Sequence, residues 1–200
     1  MTYHFAEVAA PSGSPLLVLL HGTGGDEHDL IGLGRQLMPR AHLVSPRGDV
    51  LEGGAPRFFR RLGMGIYDMD DLERATEKMA EFIRATVARV RPGSVAALGY
   101  SNGANILASV LFTTPELVDR AVLMHPLIPF VPPPQPLLRG RSVLLTAGRR
   151  DPIAPVPATQ ALADYLAAQG AGVELVWHDG GHDVWPSEVA AAKTFLGGQE

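Results

Sequence analysis

The sequence predicts an α/β fold, with a mostly parallel central sheet covered by helices on both faces. Three observations carry this expectation. Short apolar, β-rich runs alternate with helical patterns almost from end to end. One run, Leu16–Leu20 (LLVLL), is apolar at every position, as befits a strand buried on both faces. Glycine-bearing turns follow several of these runs, at the strand ends where such sheets bind their ligands. With 200 residues the chain can build one sizeable core but not two comfortable domains, so a single domain over 1–200 is expected.

In chain order, an edge strand is expected at 3–8, followed by Leu16–Leu20 and a strand at 41–45. Further strands are expected at 94–99, Arg120–Met124, 142–147 and Gly172–His178. Helices are expected at 28–38, 70–90, 102–112, 157–169 and 187–196. Within 70–90, Leu72, Ala75, Met79, Phe82, Ile83, Val87 and Val90 recur at steps of three and four, so one face is buried. Asp70 and Asp71 suit the positive end of that helix dipole, and the acidic residues of 26–29 suit the start of the helix before it. Two stretches break the rhythm. The connection 46–69 is long, and its Phe58, Phe59 and arginines point to a packed wall. The proline-rich 125–141 excludes regular helix and is too short for a helical cap domain, so an open site is expected.

Composition removes several classes of function. A net charge of −4 argues against a nucleic-acid binder, and Arg57, Arg60 and Arg61 form too short a basic group to change this. The absence of cysteine excludes disulfides, thiolate catalysis and thiolate-bound zinc. The start of the chain lacks a basic region followed by an apolar stretch, and no apolar run could span a bilayer. A cytoplasmic protein without membrane insertion is expected.

The chemistry is concentrated in three turns. Gly99-Tyr100-Ser101-Asn102-Gly103 lies between a strand and a helix, the context in which G-x-S-x-G forms a sharp turn that lifts the serine clear of the sheet. A serine hydroxyl needs a base, and in this arrangement an acid and then a histidine follow in chain order. Asp151 follows the strand at 142–147 and precedes Pro152, which favours an extended, projecting backbone. His182 follows Gly180 and Gly181 after the last strand. Ser101 is therefore expected as nucleophile, His182 as base and Asp151 as its orienting acid. Asp183 is the second choice for the acid. His178 and Asp179 read as polar loop residues, and His125 precedes the acid, which is the wrong order.

His21-Gly22-Thr23-Gly24-Gly25 follows the strand Leu16–Leu20 and suits an oxyanion hole, because glycines let backbone approach substrate closely. The backbone N–H groups of Thr23 and Asn102 are expected to form that hole, with His21 bracing the loop. A dinucleotide fingerprint fails because its last glycine is replaced by Glu27. No metal or other cofactor is expected, since the acidic residues of 26–29 read more simply as helix-start residues. Phe58, Phe59, Met124 and Trp185 are expected as walls of the substrate pocket.

With those residues in place, the chain resembles the phospholipase/carboxylesterase family of α/β-hydrolases, which includes acyl-protein thioesterases and small bacterial carboxylesterases. The resemblance spans nearly the whole length. It rests on HGTGGDEHDL at 21–30, PRG at 46–48, APRFFRRL at 55–62, GYSNGAN at 99–105, GRRDPIAP at 148–155 and GGHD at 180–183. It implies the α/β-hydrolase fold without a cap domain, a triad of Ser101, Asp151 and His182, small carboxylic esters as substrates and a homodimer. The stretch from PRG to RFFRR is most similar to the bacterial carboxylesterase branch. Tyr-Ser-Asn stands where acyl-protein thioesterases usually carry Phe-Ser-Gln, which argues against lipidated proteins as substrates. Thioesterase or lysophospholipase activity is the alternative within the class, and a non-catalytic ligand receptor on this scaffold the alternative outside it.

Overall fold

The computed structural model describes residues 3–197. The chain opens with β1 (Phe5–Val8), β2 (Leu16–Leu20), α1 (Ile31–Leu37) and β3 (His42–Pro46). Four short strands follow, β4 (Val50–Glu52), β5 (Ala55–Arg57), β6 (Arg61–Gly63) and β7 (Ile66–Tyr67), before the long helix α2 (Met69–Val90). The rest comprises β8 (Val95–Tyr100), α3 (Asn102–Thr113), β9 (Arg120–Met124), β10 (Ser142–Gly148), α4 (Val156–Ala168), β11 (Gly172–His178) and α5 (Pro186–Gly197).

Seven strands form the central sheet in the order β1-β3-β2-β8-β9-β10-β11, parallel throughout except for β1. Strand alternation explains why LLVLL is apolar at every position. Leu16, Val18 and Leu20 face a core closed by α2, α3 and α4, while Leu17 and Leu19 face a second core closed by α1 and α5. The strand order reverses direction between β2 and β8. A crevice must open there at the carboxyl ends, because the segments leaving the two strands run to opposite sides.

Two expectations change. The first helix starts at Ile31 rather than His28, because the acidic residues before it are used in a turn. Asp26 Oδ1 accepts from the His28 amide at 2.7 Å and Asp29 Oδ2 from the Asp26 amide at 3.2 Å. No side chain caps the helix, and its first turn holds no acidic residue. The connection 46–69 is two small antiparallel hairpins, β4–β5 and β6–β7. Asp71 lies in the first turn of α2 as expected, and there it is also buried and accepts from the Arg60 amide at 2.6 Å, tying the second hairpin to the helix. The proline-rich 125–141 carries one 3₁₀ turn, Pro136–Leu138, and no longer helix. No described helix is long and apolar enough to cross a membrane.

Candidate active site

Ser101 sits on the turn between β8 and α3 with φ 52° and ψ −114°, a conformation that costs a non-glycine residue about 1–3 kcal/mol. The turn is held because its surroundings over-determine it. The Ser101 amide donates to the Met124 carbonyl at 2.9 Å, and the Asn105 amide to the Ser101 carbonyl at 2.9 Å. At Gly103, a Cβ would stand 2.0 Å from the Leu20 carbonyl oxygen, so only glycine lets α3 start this close to β2. The result is a hydroxyl at the amino end of a twelve-residue helix, where the dipole favours developing negative charge.

His182 Nε2 lies 2.9 Å from Ser101 Oγ, and its Nδ1 lies 2.7 Å from Asp151 Oδ2. The other Asp151 oxygen accepts from the amides of Ile153 and Ala154 at 2.8 and 3.0 Å. Burial would raise the Asp151 carboxyl. The Ala154 amide, His182, His125 and the Ile153 amide outweigh it and hold the group below its ordinary value. Gly148 brings the two loops together, since a Cβ there would meet the Gly181 carbonyl oxygen at 2.1 Å. The Tyr100 hydroxyl donates to the His182 carbonyl at 2.9 Å and fixes the far side of that loop. Serine, imidazole and carboxylate thus form one hydrogen-bonded line, able to pass a proton from Oγ to a ring whose other nitrogen is anchored.

The loop after β2 meets this line at the crevice. Thr23 and Asn102 line the same cavity of about 310 Å³ as Ser101 and His182. Among the described residues neither amide donates to a protein acceptor, so both can serve an incoming oxygen. Their side chains are held by the strap at 57–59. Arg57 Nη1 donates to Thr23 Oγ1 at 2.7 Å, and the Phe58 amide donates to Asn102 Oδ1 at 2.8 Å. His21 braces the loop from behind. Its Nε2 accepts from the Gly48 amide at 2.9 Å, which leaves Nδ1 to donate to the Gly22 carbonyl at 2.7 Å.

None of the four residues expected as pocket walls lines this cavity. Phe58 and Phe59 are fully buried in the larger core, because the strap carries both rings inward. Met124 is buried in the second core, where strand alternation turns it away from Ser101's side of the sheet. Trp185 is 40% exposed and stacks on His178, ring centroids 4.7 Å apart. The walls are instead Arg57, Arg61, Met64, Tyr67, Leu127 and Ile153. Arg57 and Arg61 both pair with the single carboxylate of Glu52, leaving this wall with a positive excess. Arg60 points elsewhere, to Asp68 and Asp71. Two larger depressions of about 690 and 720 Å³ contain none of Ser101, Asp151 or His182, and the first lies at the amino ends of the strands.

Behind Asp151 lies a second cluster that sequence reasoning missed. His125, set aside for its chain order, places Nδ1 2.9 Å from Asp151 Oδ2. Its Nε2 faces the buried Glu188 of α5, which His178 also approaches at 3.2 Å. The available signal was that His125 ends a strand as Ser101 does; nothing local marked Glu188. His125–Asp151–His182 and His125–His178–Glu188 both have the side-chain types of metal ligands. In the first group both histidines are hydrogen-bonded to Asp151; in the second, His125 Nε2 bonds Glu188 Oε2 at 3.4 Å, while His178 Nε2 and Glu188 Oε1 have no hydrogen-bond partner among the described residues.

Fold and site together define a hydrolase of the α/β-hydrolase fold. The phospholipase/carboxylesterase family model matches residues 3–198, and the chain belongs to that family. It is 43% identical over 180 residues to MhqD of Bacillus subtilis (strain 168), provisionally named a hydrolase, covering 89% of this chain and 90% of that one. Among solved structures it is similar to Atu2452 of Agrobacterium tumefaciens str. C58, a protein of unknown function, with 55% identity and a TM-score of 0.93 over 99% and 97% of the two chains. A Bacillus cereus carboxylesterase matches with 38% identity and a TM-score of 0.93 over 98% of this chain and 94% of that one.

Proposed function

We propose that this protein is a serine carboxylesterase that hydrolyses small carboxylic esters through an acyl-enzyme. The observation that carries the proposal is the unbroken line from Ser101 Oγ through His182 to Asp151, opening on a cavity beside two unengaged amides. Ser101 Oγ attacks the ester carbonyl carbon as His182 Nε2 takes its proton. Asp151 holds the His182 Nδ1–H and stabilises the imidazolium that forms. The Thr23 and Asn102 amides receive the oxyanion, a contribution of about 10²–10³ in rate per donor. The leaving alcohol takes the proton from His182, and water repeats the sequence on the acyl-enzyme to release the acid. The likeness to a Bacillus cereus carboxylesterase supports an ester as substrate. The modest volume of the cavity supports small acyl groups over long chains.

The test is the intact mass of the protein after exposure to a fluorophosphonate, beside a Ser101→Ala variant, with turnover of short acyl esters. One adduct on the parent, none on the variant and a loss of several orders of magnitude in kcat are expected. A folded parent that takes no adduct and turns over no ester would overturn the reading.

A further inference from the structure

The hydrogen-bonded line does not end at Asp151. Its Oδ2 receives two imidazoles, His182 at 2.7 Å and His125 at 2.9 Å, both through Nδ1. His125 Nε2 straddles the carboxylate of Glu188, 3.1 Å from Oε1 and 3.4 Å from Oε2. The side chains of His125, Asp151 and Glu188 are all 0% exposed. His125 also holds a left-handed backbone, φ 52°, at the end of β9, directly beside the equally strained Ser101 at the end of β8.

Counting protons assigns the charge. An ionised carboxylate only accepts, so each ring nitrogen of His125 must bring a hydrogen. A neutral ring has one, and its second nitrogen would turn a lone pair onto a buried carboxylate with nothing between them. Asp151 cannot take the proton instead, because it already accepts from two amides and His182. At Glu188, Oε2 accepts from the Trp185 amide at 2.6 Å and Oε1 faces His125; burial would raise this carboxyl, but the contact with His125 holds it below its ordinary value, which favours the proton on the ring. His178 supplies no positive charge, because its Nδ1 accepts from the Gly180 amide at 2.9 Å.

We propose that His125 is a doubly protonated positioning residue, clamped between Asp151 and Glu188, whose buried positive charge sets how readily His182 accepts the Ser101 proton. This rests on the esterase reading of Ser101, His182 and Asp151. The groups facing His125 are Asp151 from the loop after β10, Glu188 from α5, His178 from β11, His182 from the following loop and Tyr100 from β8. Burial works against the imidazolium, and the contacts with Glu188 and Asp151 outweigh it, raising its proton affinity. The His125 and His182 rings are 5.1 Å apart, close enough for one charge to oppose another across Asp151. A charge on His125 therefore opposes the one that His182 gains when it takes the Ser101 proton.

The test is Glu188→Gln in the full chain. The amide oxygen keeps the Trp185 contact and the amide NH₂ donates to His125 Nε2, so the ring becomes neutral while still donating to Asp151. The acidic limb of kcat/KM should move to higher pH by about one unit. In parallel, ring ¹⁵N NMR of the parent near neutral pH, with His125→Gln to assign the signal, should show both His125 nitrogens protonated. An unmoved acidic limb in a folded Glu188→Gln protein overturns the proposal. So does a parent His125 with one bare nitrogen, or a stoichiometric metal ion on the purified protein. The NMR experiment repeated on Ser101→Ala needs no turnover, so a failure of the esterase reading registers separately.

Discussion

Arg57 and Arg61 share one counter-ion at the cavity wall, which leaves the wall with a positive excess. Arg57 is buried and used structurally, its Nε donating to the Phe59 carbonyl at 3.2 Å and its Nη1 to Thr23. Arg61 is partly exposed and its partner Glu52 lies in solvent reach, so its charge is the one available to a substrate. We expect Arg61→Gln to raise KM for a small ester bearing a free carboxylate about three- to tenfold more than for its neutral counterpart, with kcat little changed, as for a contact worth about 1 kcal/mol. Steady-state kinetics on the matched pair decides this, and equal effects on both esters would remove Arg61 from substrate recognition. In the sequence Arg57, Arg60 and Arg61 stand out only as a short basic group. That pattern could not separate Arg60, which serves the start of α2, from the two that reach the cavity.

At the scale of the elements, the site depends on α3 starting against β2. Gly103→Ala puts a methyl group 2.0 Å from a carbonyl oxygen, and neither backbone can yield without moving Ser101. The expected loss is at least about 4 kcal/mol, read by urea unfolding or as failure to accumulate folded protein. Gly32→Ala, also inside a helix but with open space around its Cβ, should stabilise by about 0.5–1 kcal/mol. A gain of similar size at Gly103 would mean that the close approach to β2 does not require the glycine. This element-level design was legible in advance, since a G-x-S-x-G between an apolar run and a helical pattern is a local signal. The two hairpins of 46–69 were not, because their strands are two or three residues long and pair only with each other.

For the whole molecule, the buried charges behind the site make stability depend on pH from both directions. Asp151 and Glu188 are held below their ordinary values. Burial opposes this in each; the Ala154 amide leads the opposing contacts at Asp151, and His125 leads them at Glu188. Their contribution is present above the usual carboxylate range and is lost as pH falls through the depressed values. His125 is raised, so its contribution is complete below the ordinary imidazole value and is lost as pH climbs through the raised one. Tm should therefore show a plateau that declines on both sides. In Glu188→Gln the alkaline decline should shrink, because a neutral His125 has no proton to lose there. A Tm profile identical in the two proteins would contradict the buried charge. The plateau, measured by thermal unfolding across pH, needs no substrate.

The positions of most strands and helices, and the turns that carry Ser101, Asp151 and His182, were readable because each is written in a short window: a periodicity, a glycine turn, a proline after an aspartate. Which side chains share a site is a different matter. Ser101 and His182 are 81 residues apart, and His125 and Glu188 are 63 apart. They meet because the sheet order sets β8, β9, β10 and β11 side by side. Alternation along a strand then chose between neighbours, sending Met124 into the core and leaving His125 under Asp151. Phe58 and Phe59 went inward for the same kind of reason, since burial of two large rings outweighs any preference that the short strap has of its own. Local pattern specifies the elements, and packing between distant ones specifies the pocket.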